Sequence, residues 1–250
     1  MEPHRGNILY QGQDLTSLNP NELRPFRRQM QMIFQDPFAS LNPRMTVGET
    51  IAEPMVVHGI TDKSGASEKS VEILKKVGLT ADYASRYPHE LSGGQRQRIG
   101  IARALAHEPN LIIADEAVSA LDVSIQAQVV NLMMELQEEF GLSYLFISHD
   151  MAVIERVCHR VAVMYLGEIV ELGTRSQVFE NPKHPYTKKL MSAVPIADPK
   201  LRKKELNLMT DEIPSLVKPI GYEPEKIDLI KIEEGHFIKP YNQCLISKNY

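Results

Sequence analysis

Short apolar runs alternate along the chain with longer stretches in which apolar residues recur every three or four positions. Residues 111–114 and 144–147 are continuously apolar, as expected of buried parallel strands, and residues 30–34 alternate before becoming apolar. Residues 123–140 place apolar side chains on one face of a helix. A strand, a helix and a strand in this order predict a parallel α/β crossover.

Two other segments have patterns that predict strands. Residues 7–11 predict a short strand that ends in a turn at Gly12, and residues 160–172 predict a hairpin that turns near residues 166–167. Prolines recur beyond about residue 180 and the patterning weakens. We therefore interpret residues 181–250 as a C-terminal appendage outside the α/β core.

From about residue 46 to 108 the pattern is helical. Ser67 is a candidate N-cap of a helix in this region. A further helix is expected from about Gly93 to His107, because Pro109 cannot continue it.

Composition narrows the functional classes. The 250 residues carry a net charge of −4, whereas nucleic-acid-binding proteins are usually basic. No apolar run approaches the roughly 18 residues that a membrane-spanning helix needs, and the first residues lack the apolar stretch of a signal peptide. These features predict a cytosolic protein that would act at a membrane only through a partner.

The segment Leu-Ser-Gly-Gly-Gln-Arg, beginning at residue 91, opens a predicted helix. Backbone N–H groups at a helix N-terminus suit a phosphate, and the Ser92 hydroxyl can add a donor beside Gly93 and Gly94. An N-capped helix without a ligand explains the same residues, so this motif alone does not decide between the two.

The run Leu-Ile-Ile-Ala-Asp-Glu, residues 111–116, ends a buried strand in two carboxylates. In parallel sheets ligands bind at this edge. One carboxylate can hold Mg²⁺ and the other can polarise an attacking water, so Asp115 and Glu116 are candidates. A solvated strand end is the alternative.

Three other polar residues lie just after a predicted strand or just after the carboxylate pair. His149 follows the strand of residues 144–147 and can donate a hydrogen bond to a γ-phosphate, although a structural histidine is the alternative. Gln35 ends the strand of residues 30–34, where its amide can bind Mg²⁺ or water. Asp122, in Ser-Ala-Leu-Asp, closely follows the carboxylate pair and can lie across a subunit boundary.

The order of these motifs resembles that of the ATP-binding cassette (ABC) ATPases, over roughly residues 7–180. In that family Gln35 matches the Q-loop, residues 91–95 the signature, residues 111–116 the Walker B strand, Asp122 the D-loop and His149 the switch histidine. The resemblance implies a head-to-tail dimer with two ATP molecules between its subunits.

Further stretches resemble the ATPases of oligopeptide and dipeptide importers, including the second ATPase half of glutathione importers. They are residues 34–44, 120–124 and 181–187, and the stretch 211–215 in the C-terminal extension. The resemblance implies uptake of short peptides or glutathione, driven by ATP hydrolysis.

Site roles follow from the resemblance, residue by residue. It implies Glu116 and His149 as catalytic residues and Asp115 and Gln35 as groups that act on Mg²⁺ bound with ATP. The remaining nucleotide-binding positions that it implies are Ser92, Gly93, Gly94, Gln95 and Asp122.

The resemblance also implies a fold class and a division of the chain. We expect an α/β parallel-sheet core of the P-loop NTPase type, with an inserted helical subdomain and a C-terminal extension. The expected divisions are residues 1–45 with the Q-loop, 46–108 as the helical subdomain, 109–180 as the rest of the core, and 181–250 as the extension.

The phosphate-cradling motif G-x-x-x-x-G-K-[ST] does not occur in these 250 residues. We therefore expect the chain to begin just after that loop, as a truncated form that lacks the N-terminal P-loop unit and has impaired ATP binding. A missing strand and helix would leave an unpaired sheet edge and exposed apolar surface.

Partners also follow from the resemblance. It implies two integral-membrane permease subunits, a second ATPase subunit or domain and an extracytoplasmic solute-binding protein, but no nucleic acid. The chain would lie peripherally on the cytoplasmic face of the inner membrane. The alternatives are a non-catalytic truncated product and, less favoured by the spacing and charge, a repair, chromosome-organising or translation ATPase of the same superfamily.

Overall fold

The computed structural model describes residues 6–36, 40–193 and 227–241. The chain divides into two compact units, residues 1–150 and 151–250. Residues 37–39 of the Q-loop stretch and the motif at 211–215 lie outside the described residues. The four-part division expected from the sequence stays a prediction.

The first unit contains a parallel sheet of three strands in the order β3-β4-β5. A two-stranded antiparallel pair, β1 and β2, precedes it along the chain. The strands of this unit are β1 Leu9–Tyr10, β2 Gln13–Asp14, β3 Met30–Ile33, β4 Leu111–Asp115 and β5 Ser143–Ile147. The parallel pairing of β4 with β5 is as the sequence predicts.

The described residues of the first unit, 6–36 and 40–150, contain five α-helices, with short 3₁₀ turns at Ala81–Ser85 and Pro88–Glu90. The helices are α1 Pro20–Gln29, α2 Val47–Val57, α3 Lys63–Lys76, α4 Gly93–Leu105 and α5 Val123–Phe140. The helical region predicted between residues 46 and 108 is therefore present, and α1 was not predicted.

The ends of α5 follow from its flanking residues. Asp122 accepts a hydrogen bond from the backbone N–H of Ile125, and Gly141 closes the helix with φ +63°. A left-handed residue after a helix is favourable for glycine, which has no Cβ to clash.

The predicted cap of α3 is wrong. Asp62, not Ser67, is the N-cap, and its side chain accepts a hydrogen bond from the N–H of Gly65. Ser67 lies inside the helix, because an aspartate placed before residues that favour a helix competes well for the cap position.

The core of the first unit lies between the sheet and the helices. Fully buried side chains come from α2, α4, β4 and α5, for example Ile51, Ile99, Ile112 and Met133. Burying an aliphatic side chain of this size stabilises a fold by about 1.5–3 kcal/mol.

One part of the sheet leaves apolar surface exposed. Leu145 and Ile147 on β5 are 52% and 45% exposed, and Phe34 after β3 is 48% exposed. Because side chains alternate along a strand, Leu145 and Ile147 lie on the same face of β5. The truncated start expected from the sequence stays a prediction.

The second unit is built on a four-stranded antiparallel sheet in the order β6-β7-β9-β8. Its strands are β6 Arg160–Tyr165, β7 Glu168–Thr174, β8 Ile230–Glu233 and β9 His236–Ile238. Its helices are α6 Met151–Val157, α7 Arg175–Glu180 and α8 Pro185–Ser192. The hairpin predicted at 160–172 is confirmed, with its turn at Leu166 and Gly167.

Two strands within the predicted appendage were missed. β9 pairs with β7 and β8 pairs with β9, so residues 230–238 extend the hairpin into a sheet. Strands of three and four residues carry too little alternation to be recognised from the sequence alone.

A buried carboxylate holds this second unit together. Glu171 is fully buried, and its oxygens accept hydrogen bonds from the N–H groups of Lys183 and His184, each at 2.9 Å. His236 Nε2 lies 2.8 Å from Glu171 Oε1. Burial acts to raise the pKa of Glu171, but hydrogen bonding by Thr187 and by the groups just named outweighs it and holds the pKa below its usual value.

No helix within the described ranges, residues 6–36, 40–193 and 227–241, is long and apolar enough to cross a membrane.

Glu171→Ala should destabilise the protein by about 3 kcal/mol, because it leaves buried donors without an acceptor. Glu171→Gln keeps one acceptor oxygen and should cost less. Folding lowers the pKa of Glu171. Its contribution to the free energy of unfolding is therefore complete at pH values above the usual glutamate pKa, and it is lost as the pH falls through the lowered pKa. Denaturant unfolding of wild type and both variants at several pH values measures the free energy of unfolding and its pH dependence. Equal stability of wild type and Glu171→Ala would contradict this role.

Candidate functional site

Three polar side chains meet at the carboxyl end of the parallel sheet. Gln35 lies two residues beyond β3, Glu116 directly follows β4, and His149 lies two residues beyond β5. Because β3 and β5 both pair in parallel with β4, these three strand ends lie at the same edge. Ligands of open parallel sheets bind at this edge.

Glu116 is the residue on which the other two converge. Gln35 Nε2 donates a hydrogen bond of 2.8 Å to Glu116 Oε2. His149 Nδ1 lies 3.4 Å from Glu116 Oε1. The Glu116 N–H also donates to the carbonyl of Ile147 at 2.9 Å, which continues the pairing between β4 and β5 by one residue. The sequence predicted all three residues, and the structure brings them together.

The backbone of Glu116 is strained. Its φ is +46°, in the left-handed region that residues with a Cβ rarely adopt. Such a conformation costs on the order of 1–2 kcal/mol and is concentrated at functional sites. It turns the chain sharply after β4, and the carboxylate remains 30% exposed beside a His149 side chain that is 74% exposed. The carboxylate is therefore accessible to a ligand or a water.

Asp115 is the last residue of β4 and is partly buried, opposite Ile147 in the register. The oxygen chemistry of this corner fits Mg²⁺. Gln35 turns its amide nitrogen to Glu116, so its oxygen is the atom that could ligate a cation, together with a carboxylate oxygen of Asp115.

No group of three or more His, Cys, Asp or Glu side chains within the described ranges is arranged to hold a metal ion. Mg²⁺ typically takes one or two protein carboxylates, and phosphates and waters supply its other ligands. The residues present therefore fit a cation that arrives with a nucleotide.

The glycine-rich motif opens α4. Ser92 is the N-cap and accepts a hydrogen bond from the N–H of Gln95, while the Gln95 side chain accepts one from the N–H of Ser92. Gln95 Nε2 also donates to Tyr83 Oη at 2.8 Å. Gly93 is exposed at the first helical position, and Gly94 is partly buried. This exposed N-terminus can bind an anion.

Asp122 caps α5 in the same way. Its Oδ1 accepts hydrogen bonds from the N–H of Ile125 at 3.0 Å and from Ser124 Oγ at 2.7 Å. These bonds, led by the backbone one, lower the pKa of Asp122, so it is anionic at neutral pH. Its predicted place across a subunit boundary stays a prediction.

The predicted residues thus form two groups. Gln35, Glu116 and His149 are in direct contact, whereas Ser92 to Gln95 and Asp122 occupy the N-termini of α4 and α5. The N-termini of α4 and α5 also lie close together. A Cβ atom built on Gly93 would lie 3.8 Å from Cδ2 of Leu121, the residue before Asp122.

Sequence reasoning missed two supporting residues. Tyr83 accepts the hydrogen bond from Gln95, and Ser119 Oγ donates to the carbonyl of Glu116 at 2.9 Å. Tyr83 gives no signal in the sequence, because its contact depends on how residues 81–85 fold back onto α4. Ser119 belongs to the Ser-Ala-Leu-Asp stretch, but its hydrogen bond to Glu116 depends on the left-handed backbone of Glu116, which the sequence does not reveal.

A parallel α/β sheet with a carboxylate, an amide and a histidine at its carboxyl edge, together with a capped glycine-rich helix, is an arrangement suited to binding a nucleotide. Residues 1–119 match the family model "ABC transporter", and residues 170–221 match "Oligopeptide/dipeptide transporter, C-terminal region".

Known structures and curated sequences are similar to the chain. The dimeric structure of MJ0796, described as a bacterial ABC transporter cassette, has 30% identity and a TM-score of 0.63, covering 70% of this chain and 75% of that one. The cbiO1 structure from Clostridium perfringens, part of the transporter complex cbiONQ, has 26% identity and a TM-score of 0.65, covering 72% and 70%.

Among curated proteins, the glutathione import ATP-binding protein GsiA of Pectobacterium atrosepticum is 57% identical over 238 residues, 95% of this chain and 38% of that protein. GsiA of Salmonella paratyphi A is 55% identical over 249 residues, 99% of this chain and 40% of that protein. The chain therefore spans about two fifths of the length of these relatives.

The chain belongs to the ATP-binding cassette ATPases of transporters, and to their oligopeptide/dipeptide type. The predicted family and fold class are confirmed. The roles predicted for individual site residues stay predictions.

Ser92→Ala should destabilise the protein by about 1 kcal/mol, because the N–H of Gln95 loses its acceptor. Ser92→Asp keeps an acceptor at the cap and should retain stability. It also places a negative charge at the helix N-terminus, so it should weaken binding of a phosphate there. Chemical unfolding and nucleotide-binding measurements on both variants separate the two roles. If Ser92→Asp bound nucleotide as tightly as wild type, a phosphate-binding role for this helix end would be wrong.

Proposed function

We propose that this chain is the ATP-binding subunit of an importer that couples ATP hydrolysis to uptake of short peptides or glutathione. The observation that carries the proposal is the contact of Gln35 and His149 with the carboxylate of Glu116, at the carboxyl edge of the sheet. Membership of the ABC family supports it, and the names of the GsiA relatives support the substrate class.

Glu116 is the residue proposed to act on the attacking water. Its carboxylate is accessible, and Gln35 holds one oxygen while the other faces His149. A carboxylate that is held in this way and accessible can orient a water and accept its proton with little reorganisation. Bound ATP would supply the γ-phosphate, and Mg²⁺ would neutralise its developing charge.

The other residues are proposed to position the nucleotide. Asp115 and the amide oxygen of Gln35 would ligate Mg²⁺, and the exposed ring of His149 would donate a hydrogen bond to the γ-phosphate. Ser92, Gly93, Gly94 and Gln95 would face ATP held by the partner ATPase subunit, with Asp122 beside that boundary. The dimeric form of the MJ0796 cassette supports this arrangement.

The proposed partners follow from the assignment as an importer ATPase. An importer ATPase of this type would pair with a second ATPase subunit or domain and dock on two permease subunits, and an extracytoplasmic solute-binding protein would deliver the substrate. The chain would then lie on the cytoplasmic face of the inner membrane. The negative net charge of −4 is unfavourable for a nucleic-acid partner.

One observation favours a second candidate, a chain that does not hydrolyse ATP by itself. The 250 residues contain no G-x-x-x-x-G-K-[ST] motif. That loop supplies backbone donors, a lysine and a Mg²⁺ ligand, and losing a few charge-assisted hydrogen bonds of about 1.5–3 kcal/mol each would weaken binding by orders of magnitude.

Calorimetry on the 250-residue polypeptide alone should therefore detect only weak ATP binding, with a dissociation constant in the millimolar range or above. A micromolar constant would exclude the second candidate, because it would show that these residues suffice to hold the triphosphate.

Glu116→Gln should reduce ATP hydrolysis by at least about 100-fold in the complex purified through this chain, because an amide cannot accept a proton from water. ATP affinity should stay within a few-fold, since the substituted side chain has nearly the same size. Glu138→Gln makes the same change on the exposed end of α5 and is the matched control. Hydrolysis by Glu116→Gln at the rate of the control would rule out the proposed role.

A further inference from the structure

The first turn of α5 contacts two parts of the proposed site that lie on different elements. Ile125 packs against the N-terminus of α4, where a Cβ built on Gly94 would come within 2.5 Å of Ile125 Cγ2. Gln126 Nε2 donates a hydrogen bond of 2.8 Å to Asp150 Oδ2. Because Ile125 and Gln126 are consecutive, one helical turn touches both segments.

The contact at Gly94 leaves no room for a side chain. Nonbonded carbon atoms attract best at about 3.5–4.0 Å, so a methyl group at 2.5 Å would overlap the isoleucine. Gly93 differs, since a Cβ there would meet Leu121 at an ordinary 3.8 Å. Packing within the chain therefore requires glycine at position 94, independently of any ligand that approaches the helix.

The contact at Asp150 reaches the histidine segment. Asp150 directly follows His149, and its N–H donates to Ser148 Oγ at 3.0 Å. The hydrogen bond from Gln126 is partly buried, so it is shielded from competition with solvent. It anchors the short turn that carries the His149 ring towards Glu116.

We propose that Ile125 and Gln126 are positioning residues that hold the glycine-rich turn of α4 and the His149 turn in a fixed relation. The inference rests on the proposed function, in which the α4 turn acts on ATP held by the partner subunit and His149 acts on ATP held by its own. The first turn of α5 then links the two nucleotide sites through one subunit, so that a displacement at one changes the geometry of the other.

The first test removes the hydrogen bond to Asp150. Gln126→Leu keeps the size of the side chain but has no donor. In the complex purified through this chain, kcat for ATP hydrolysis should fall about fivefold, the value of one ordinary hydrogen bond, while KM for ATP stays within twofold. Gln137→Leu lies about 16 Å further along α5 and should leave both constants unchanged. Equal constants for both variants, or a change only in KM, would overturn the proposal.

The second test restores the hydrogen bond with the roles exchanged. Gln126→Glu alone sets a carboxylate against the Asp150 carboxylate and should reduce kcat more than Gln126→Leu does. Adding Asp150→Asn supplies an amide donor and should recover at least half of the wild-type kcat. If the double variant is no faster than Gln126→Glu, the two side chains do not act through each other and the link is wrong.

The third test concerns the contact at Gly94. Gly94→Ala should abolish most of the activity, and adding Ile125→Ala should recover at least fivefold, because it removes the methyl group that the new side chain meets. A ligand that needs glycine at this position would leave the double variant as slow as Gly94→Ala, and that result would overturn the packing role of Ile125.

These outcomes are separable from failure of the proposed function. An inactive wild-type complex, or no effect of Glu116→Gln, would count against the ATPase assignment itself. An active wild type that responds to Glu116→Gln but not to the Gln126 variants would count against the link alone.

Discussion

The register of the three-stranded parallel sheet is the constraint on which the site depends. Ile33, Ala114 and Phe146 lie side by side across β3, β4 and β5, so the residues that follow each strand emerge at one edge. A shift of one residue in any strand would exchange its buried and exposed faces, and burial of Ile112 and Ala114 opposes that shift. The apolar core therefore fixes where Gln35, Glu116 and His149 meet, although none of them belongs to it.

Backbone strain also occurs at that edge. Glu116 has a left-handed backbone, and its amide continues the β4–β5 pairing while its carboxylate receives Gln35 and faces His149. The surrounding pairing and the hydrogen bonds from Ser119 offset the cost of this conformation. A carboxylate that Gln35 holds and His149 faces, on a backbone fixed in this conformation, is suited to act on a water with little further movement.

Much of this arrangement could be predicted from the sequence. Continuous apolar runs gave β4 and β5, and Asp122 and Gly141 delimit α5 as local capping rules require. The order of motifs indicated the family, and it singled out Gln35, Glu116 and His149, which the structure brings together. The rest depends on long-range packing. The fit of Ile125 against Gly94, the bond from Gln126 to Asp150 and the partnership of Glu171 with His236, 65 residues away, have no local signature. Ser67 was mistaken for a cap because Asp62 starts the helix earlier.

In the proposed function, Gln35, Glu116 and His149 surround the γ-phosphate end of an ATP site. The most direct test is a structure of the complex that contains this chain, with Glu116→Gln, determined with Mg²⁺ and ATP by cryo-electron microscopy. We expect the γ-phosphate within hydrogen-bond distance, about 3.2 Å, of His149, with Mg²⁺ ligated near Gln35. A nucleotide bound elsewhere, with no phosphate near these three side chains, would contradict it.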